Sequence, residues 1–434
     1  MKLILTVSEI TDAMNKINAI MSEEKVVAGV LFEFGNTNAD VSCSNGRKAV
    51  TSKIDCELVS DYVPEKGKII VDYESLLGVV NSCQPRGSII VSKLALEVKE
   101  STVEFTIEKQ IRTVKENEEV LQLGGVNKTE IAWKKPDSDM RTAILTRVDY
   151  NELYEHETCD LYTVGEMKQS LNRVINEKNK IVYLSAKQAK VFVANSAYMI
   201  TIPLTDKQVS VVLSVANTKA LVTAIARQKE SDVLNVSVRD KFVKVSNEDK
   251  TFACLLEMGT PIDNNLIVLD RYNKLEYTTL QVDLYREMLI DTLNSISGAT
   301  SGEKVRIVFS YQEDGPVIEF MAPKESNSVK GGYKVVCEGV LGEFDDAVYE
   351  IGIKTLLDMA SKCVTDYIGF DLCVSAEQNV KALRVSEMDI EKRVIGTEEF
   401  RNANGIDISV VVETADKIKI REGSLVSKMY TLSN

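Results

Sequence analysis

The sequence predicts an α+β chain of three tandem domains, each built from two βαβββ units. Three observations lead there. A pattern recurs six times: an apolar strand enters a segment of 13–17 residues with helical spacing, and two or three short alternating strands follow. The strands after each helix are joined by turns of a few residues, which force antiparallel neighbours rather than parallel crossovers. The 434 residues exceed one ordinary core and suit about two to four domains of ~100–200 residues each.

The first unit opens with Lys2-Leu3-Ile4-Leu5-Thr6-Val7. Ser8 is a plausible N-cap, and Ile10, Met14, Ile17 and Met21 form one helical stripe. Strands are expected around Val30-Leu31-Phe32, Asp40-Val41-Ser42 and Ala49-Val50-Thr51. The second unit opens at Lys68-Ile69-Ile70-Val71, carries Leu76, Leu77, Val80 and Cys83 as its stripe, and closes at Pro85-Arg86-Gly87. Its strands are expected at 88–92, 94–98 and 103–107. The third opens at Leu161-Tyr162-Thr163-Val164, with Met167, Leu171, Val174 and Ile175 on the helix and strands at 181–184, 191–193 and 198–202. The fourth opens at 209–215, with Leu221, Val222 and Ile225, then strands at 234–238, 242–245 and 251–256. The fifth opens at 279–282, with Leu284, Met288, Leu289 and Leu293, then 305–309 and 317–320. The sixth opens at 348–351, with Leu356, Leu357, Ala360 and Val364, then 368–374 and 380–385.

Polar joints divide the six units into pairs. Residues 134–158 separate units two and three, and 259–278 separate four and five, which predicts domains at 1–145, 159–260 and 276–434. The stretch 389–422 reads as an insertion late in the third domain, before a closing strand at 425–432. The charged stretch 114–119 reads as a solvated loop. No G-x-G-x-x-G and no phosphate-binding G-x-x-x-x-G-K-[ST] occurs, so a doubly wound nucleotide-binding fold is disfavoured.

Composition narrows the function classes. The chain is 44% hydrophobic and 27% charged with only 7 Pro and 22 Gly, which rules out disordered and collagen-like chains. Lys+Arg total 52 against 65 Asp+Glu, a formal charge of −13. Phosphate binding needs local positive charge, so any nucleic-acid contact has to come from a patch or from enclosure. The 8 cysteines form no C-x-x-C pair and sit mostly in apolar runs, as reduced buried thiols do. His156 is the single histidine, which argues against a zinc site or a His-dependent nucleophile relay, and no metal or cofactor is expected. The Met1-Lys2-Leu3-Ile4-Leu5 start is too short for a signal peptide, and no run approaches the ~20 apolar residues of a membrane span. The sequence therefore predicts a cytosolic protein without a membrane partner.

With these residues in view, the chain resembles the bacterial replicative sliding clamp, the beta-subunit clamp of the replicase. The anchors are the Met1-Lys2 strand, Gly67-Lys68-Ile69-Ile70-Val71 before the second helix, and Val103-Glu104-Phe105-Thr106-Ile107. Gly302-Glu303-Lys304-Val305-Arg306-Ile307 is similar to the family's Asn-Glu-Lys stretch. Residue identity is low and the chain is longer than a typical bacterial clamp, so the resemblance is to a divergent member, bacterial or phage-encoded. It implies three DNA-clamp domains with helices lining an inner face and antiparallel sheets outside. It also implies a head-to-tail homodimeric ring around double-stranded DNA, held by topology rather than sequence readout, and no enzymatic activity.

The resemblance assigns residues. Lys168, Arg173, Lys178, Lys219, Arg227 and Lys229 would line the DNA channel. Residues 164–180 carry Lys168, Arg173, Lys178 and Lys180 against Glu166 and Glu177, net +2; 217–230 carry Lys219, Arg227 and Lys229 against Glu230, also +2. The helical segments 8–22, 72–84, 282–296 and 352–366 sum to −1, −2, −2 and 0, so positive charge is confined to the middle of the chain. A solvated helix face is the competing reading for each cation. A peptide cleft receiving short linear motifs of DNA polymerase and clamp loader would use Ala194, Met199, Pro261, Leu266, Met429, Tyr430 and Leu432, with core packing as the competing reading. The family's Thr-Asp-Gly-His-Arg-Leu run is replaced here by Ala194-Asn195-Ser196-Ala197-Tyr198-Met199, which implies altered motif specificity. Phe105 and Ile296 match apolar positions at the subunit interface. The alternatives to a DNA-encircling processivity factor are an interaction platform of the same fold, recruiting transcription or repair proteins with weak or no encirclement, and, far behind, a hydrolase or metalloenzyme.

Overall fold

The computed structural model describes residues 1–21, 29–115, 118–175, 180–194, 198–204, 206–263, 265–267, 270, 277–300, 304–312, 315–321, 332–336, 347–374, 381–387 and 428–432. The chain splits into two compact units. One holds residues 1–172 and 207–259, the other 173–206 and 260–434.

The first unit begins with β1 (Lys2–Leu5), which runs straight into α1 (Val7–Met21). Ile10, Met14, Ile17 and Met21 recur at helical spacing, and all four are buried, as are Ala13 and Ile20 between them. The antiparallel meander β2 (Val30–Phe34), β3 (Asn38–Ser44) and β4 (Lys48–Leu58) follows. Next come β5 (Lys68–Val71) and α2 (Tyr73–Ser82), capped by Asp72, whose carboxylate accepts the Ser75 N–H at 2.9 Å. The strands β6 (Ile89–Val98), β7 (Thr102–Lys115) and β8 (Glu118–Lys134) complete this run.

The expectation of three discrete tandem βαβββ domains is overturned by the sheet topology. β1 pairs with β6 on one side and with β4 on the other. The order β1-β6-β7-β8-β5-β2-β3-β4 therefore returns to β1, and eight strands close on themselves with helices at their flank. The strands expected to belong to separate units complete each other's hydrogen-bond ladders, β1 with β6 and β5 with β2. An edge strand left between units would carry unpaired N–H and C=O groups, and closure removes it. The sheet then continues past the expected joint, because β4 also pairs with a strand at 252–257.

The expected 88–92 and 94–98 strands are one strand, β6, interrupted by a bulge between Val91 and Lys93. The expected 114–119 loop lies where β7 ends and β8 begins, and β8 has no counterpart in the sequence reading. Its Gly124-Gly125 pair and mixed polar content hide the alternation that marks a half-buried strand.

The 134–158 joint is also more ordered than its polarity suggests. It holds α3 (Met140–Arg147), whose cap Asp139 accepts from Arg141 N and Thr142 N at 2.9 Å each, and a 3-10 turn at Asn151–Tyr154. Leu145, Tyr150 and Leu153 pack on Leu31, Ala49, Ile70 and Ala253 of the sheet. His156 sits between two serine hydroxyls, its Nδ1 2.6 Å from Ser237 Oγ and its Nε2 2.8 Å from Ser246 Oγ, and Lys244 Nζ donates to the carbonyls of Glu152 and Glu155. Burial, aided by the Lys244 charge, lowers the His156 pKa. The histidine serves as a fastener of this segment.

Beyond the joint lie β9 (Asp160–Thr163), the start of α4 (Val164–Val174), β13 (Val211–Ser214) and α5 (Val215–Ala224). Ser214 caps α5 by accepting the Asn217 N–H at 3.0 Å. The meander β14 (Val233–Arg239), β15 (Phe242–Asn247) and β16 (Phe252–Glu257) pairs β16 with β4 and β14 with β9.

In the second unit, β10 (Ile181–Ser185), β11 (Lys190–Ala194), β12 (Tyr198–Pro203), β24 (Lys428–Leu432), β23 (Lys381–Glu387), β22 (Tyr367–Val374) and β17 (Tyr277–Tyr285) stand in that order in one sheet. A second sheet runs β20 (Gly332–Val336), β19 (Gly315–Met321), β18 (Lys304–Gln312), β21 (Ala347–Gly352). The helices α6 (Arg286–Thr300) and α7 (Ile353–Lys362) pack together, burying Leu289, Leu293, Leu356 and Met359. The expected 389–422 insertion lies outside the described residues.

Cys43, Cys56, Cys83, Cys254 and Cys363 are buried thiols outside any disulfide. Burial pushes the Cys43 and Cys254 thiols up to about 12, so they remain protonated and inert at neutral pH.

One ion cluster ties the turn between β6 and β7 to β7 and β8. Glu104 accepts from Lys128 Nζ at 2.8 Å and from Lys99 Nζ at 2.6 Å, and Lys99 also reaches Glu130. The two ammonium groups, Lys128 foremost, pull the Glu104 carboxyl down to about 2. A carboxyl whose folded pKa is depressed adds stability above its unfolded pKa and loses it as pH falls through the folded value. The contribution is therefore complete above ~4.5 and gone near 2. Glu104→Gln is expected to flatten the acid limb of an unfolding-versus-pH profile across that window, read by circular dichroism.

Candidate nucleic-acid interface and partner surfaces

The cations expected to meet DNA divide into those the structure gathers and those it does not. In the first unit α1 packs on α5. The turn after α5 carries Arg227 and Lys229, both exposed, and Lys219 is exposed on α5 itself. The start of α4 docks on the same turn: Gly165 N donates to Glu230 O at 3.0 Å and Val164 N to Asp232 O at 2.8 Å. A Cβ at Gly165 would stand 3.2 Å from Glu230 Cβ and 3.3 Å from its carbonyl oxygen, so glycine permits the approach. That seating brings Lys168 Nζ to 3.4 Å from Ala226 O, next to Arg227 in the chain. Lys168, Arg227 and Lys229 thus form one basic cluster built from two chain segments about 60 residues apart in sequence, where neither segment alone is strongly basic.

Arg173, expected with them, is only 7% exposed, too buried for its guanidinium to lie along solvated phosphates. Lys178 lies outside the described residues. An acidic counterpart escaped the sequence reading. Asp12 on α1 places Oδ1 4.0 Å from Arg227 Nη1 and Oδ2 2.8 Å from Lys16 Nζ. Lys16 is itself buried, 5.3 Å above the Phe252 ring. Asp12 therefore offsets part of the positive charge that Arg227 brings to this face.

The expected peptide-cleft residues come together in part. Ala194 ends β11 and stands opposite Met199 of β12, which stands opposite Tyr430 of β24 and through it Arg384 of β23. Leu432, two residues on, belongs to the same alternation. Met429 is offset by one and pairs with Ile200 and Val385, which places it on the other side of the sheet. Pro261 and Leu266 lie on a separate segment, tied to β10 where Ile262 N donates to Tyr183 Oη at 2.9 Å. Leu266 is 43% exposed and its neighbour Ile267, which the sequence reading did not single out, is 58% exposed. Two adjacent uncovered aliphatic side chains on one short segment are suited to an apolar contact.

The expected interface residues are core. Phe105 is fully buried in β7 between Leu96 of β6 and Thr129 of β8, and Ile296 on α6 is 7% exposed. The exposed feature beside Phe105 is the outer edge of β8. That strand pairs with β7 along its whole length but with β5 only at Trp133 and Lys134. Between this edge and α2 lies a cavity of about 530 Å³ lined by Ser75, Gly78, Val79, Asn127, Thr129 and Ile131 among others. Gly78 sits in mid-helix, exposed, with no atom within 4 Å of where its Cβ would be. A glycine there costs about 1 kcal/mol relative to alanine, and among the described residues none occupies the space. Gly78→Ala is expected to stabilise the isolated chain by about 0.5–1 kcal/mol, seen as a raised melting temperature.

Among the described residues no group of three or more His, Cys, Asp or Glu side chains is placed to hold a metal ion, and no helix is long and apolar enough to cross a membrane.

No protein-family model matches the sequence, and neither does any curated protein sequence. Solved structures do. The DNA polymerase III beta subunit of Thermotoga maritima matches with a TM-score of 0.61 at 12% identity, over 100% of this chain and 99% of that one. The Pseudomonas aeruginosa DNA polymerase III subunit beta gives 0.65 at 9%, over 100% of both chains. The beta chain from Streptococcus pneumoniae gives 0.66 at 11%, over 100% and 99%. At such identities the likeness is one of fold, and it extends end to end.

Proposed function

We propose that this chain is a DNA sliding clamp, a non-enzymatic polymerase processivity factor working in the cytoplasm of a bacterial or phage-infected cell. Two copies close into a ring around duplex DNA, and the ring tethers DNA polymerase and a clamp loader through their short linear motifs. The end-to-end fold likeness to DNA polymerase III beta subunits carries this reading. The Lys168–Arg227–Lys229 cluster supports it chemically: a few exposed cations give weak, sequence-independent phosphate contact, and enclosure supplies the retention that a −13 chain cannot obtain by charge. Lys219 belongs to the same surface.

Met199, Tyr430 and Leu432 on the neighbouring strands β12 and β24, and the exposed Leu266 with Pro261, are the surfaces assigned to incoming motifs, which need an apolar seat with few polar groups; Ala194 beside Met199 is buried. Self-association is assigned to the open β8 edge and the groove beside α2. An unpaired strand edge accepts a strand from another copy, and Gly78 leaves room for it. The pairing of Asp12 with Arg227 favours the second reading, a platform that recruits proteins with little DNA encirclement, because it lowers the potential of the DNA-facing helices.

Linearisation separates the two. Protein assembled on a nicked circular plasmid is expected to stay bound through gel filtration and to be lost when the circle is cut. Equal retention on circle and line overturns encirclement. Molar mass in solution is expected to be twice the 48.2 kDa of one chain, and Gly78→Glu is expected to halve it. A Gly78→Glu dimer removes the groove from the interface.

A further inference from the structure

Residues 134–158 do more than join two stretches of sheet: they run as a strap across one face of it. β8 stops pairing with β5 at Lys134, and Pro136 has no N–H to carry the ladder further. Strand register lays out the path from there. Ile70, Leu31, Ser42, Thr51, Ala253 and Ser246 are successive register partners from β5 to β15, so their side chains share one face. The strap follows this row. Leu145, Tyr150 and Leu153 pack on Ile70 and Leu31 at one end and on Ala49 and Ala253 further along. His156 then reaches Ser246 of β15 and Ser237 of β14. Between those two holds the strap crosses the seam where β4 meets β16, a short ladder from Ser52–Phe252 to Lys48–Leu256.

The two ends of the strap are held differently. Its first part has the apolar seat. Its far part is held by polar groups: His156 between two hydroxyls, Lys244 Nζ on the carbonyls of Glu152 and Glu155, and Arg239 Nη1 3.2 Å from Glu152 Oε2. The seat is also imperfect. Tyr150 is 6% exposed, and its hydroxyl has no hydrogen-bond partner among the described residues, a group that water satisfies once the strap lifts. We infer that this strap is a pH-sensitive brace: with His156 neutral it spans the β4–β16 seam and holds the two sides of the sheet face together, and protonation of His156 releases it. Neutral imidazole suits the place, since one ring nitrogen donates to one serine while the other accepts from the second. The imidazolium has two donors and meets no carboxylate there. The charged groups around it are Lys244 of β15, Arg239 of β14, and Glu155 and Glu157 on the strap itself. Both glutamates are exposed, whereas Lys244 is buried. Burial first, and then the Lys244 charge, hold the histidine below its ordinary 6.5. The sign follows: the open strap binds the proton more readily, so closure is fullest above 6.5. It weakens by about tenfold per pH unit from there down to the closed-state value.

The test is amide hydrogen exchange of the full chain at pH 7.5 and at pH 5.5, with each rate divided by the intrinsic rate at that pH. Ala143 N and Leu153 N donate within the strap at 2.9 and 3.3 Å, and their protection is expected to fall about fivefold or more at the lower pH. Amides of 48–52 and 252–256, which flank the seam, are expected to lose protection with them, while those of β2 hold. Strap protection within twofold at the two pH values overturns the switch. A strap that opens while the seam amides keep their protection overturns the brace. His156→Gln retains one donor and one acceptor but does not titrate, so its strap is expected to stay protected at both pH values. A pH response as large as the parent's in that variant overturns the role of His156. The two-pH comparison on the parent chain needs no variant and decides the switch even where the glutamine fails to fold.

Discussion

Arg227→Glu/Lys229→Glu is expected to weaken binding to a short duplex and to lower its salt slope by about 1.8, since each phosphate contact contributes about 0.9. The two side chains stand exposed on the turn after α5, beside Lys168, and neither supports the fold through a buried contact. Charge reversal there makes the cluster with Lys168 net acidic, so loading onto circular DNA is expected to fall with it. The melting temperature is expected to hold, because exposed ion pairs such as Arg227–Asp12 contribute at most about 1 kcal/mol. Fluorescence anisotropy over a range of salt concentrations measures the slope, and an unchanged slope removes both residues from the DNA surface. Asp12→Asn is expected to move the same slope in the opposite direction, by up to about 0.9, because it releases Arg227 while the amide oxygen still accepts from Lys16.

Phe105→Asp is expected to unfold the first unit rather than to yield a folded monomer. Truncating a fully buried phenylalanine costs about 3–5 kcal/mol, and an ionised carboxylate in its place has neither water nor a partner. The sum approaches the whole stability of an ordinary domain, about 5–15 kcal/mol. Phe105 has no exposed surface and packs between neighbouring strands on both sides, so no part of it is available to another subunit. Circular dichroism at 25 °C and a thermal melt test this. A variant with the parent's melt and half its molar mass would return Phe105 to the interface.

Local pattern carried much of the architecture. The helical stripe Ile10–Met14–Ile17–Met21 and the four-strand run from β13 through β16 are legible because one face of each element is apolar at a fixed period. The α3 turn and β8 are not legible. α3 has eight residues held by a capping box and by Leu145, and β8 carries two glycines at a bulge and the exposed apolar residues Leu121, Leu123 and Val126. Of the candidate site, residue types were readable and placement was not. Arg173 and Arg227 look alike in sequence, but one is buried and the other exposed. Asp12 meets Arg227 across more than 200 residues, a proximity no local window contains.

By itself the sequence determined the alternation of strands and helices, their antiparallel joining, and the absence of a histidine cluster or phosphate loop, because these depend on neighbours along the chain. Tertiary structure alone decided that β1 closes the sheet by pairing with both β4 and β6, which cations reach the surface together, and that β8 keeps a free edge. Hydrogen-bond partners and solvent exposure are set by which distant segments compete for the same ladder and the same core, and that competition is resolved only when the chain is folded.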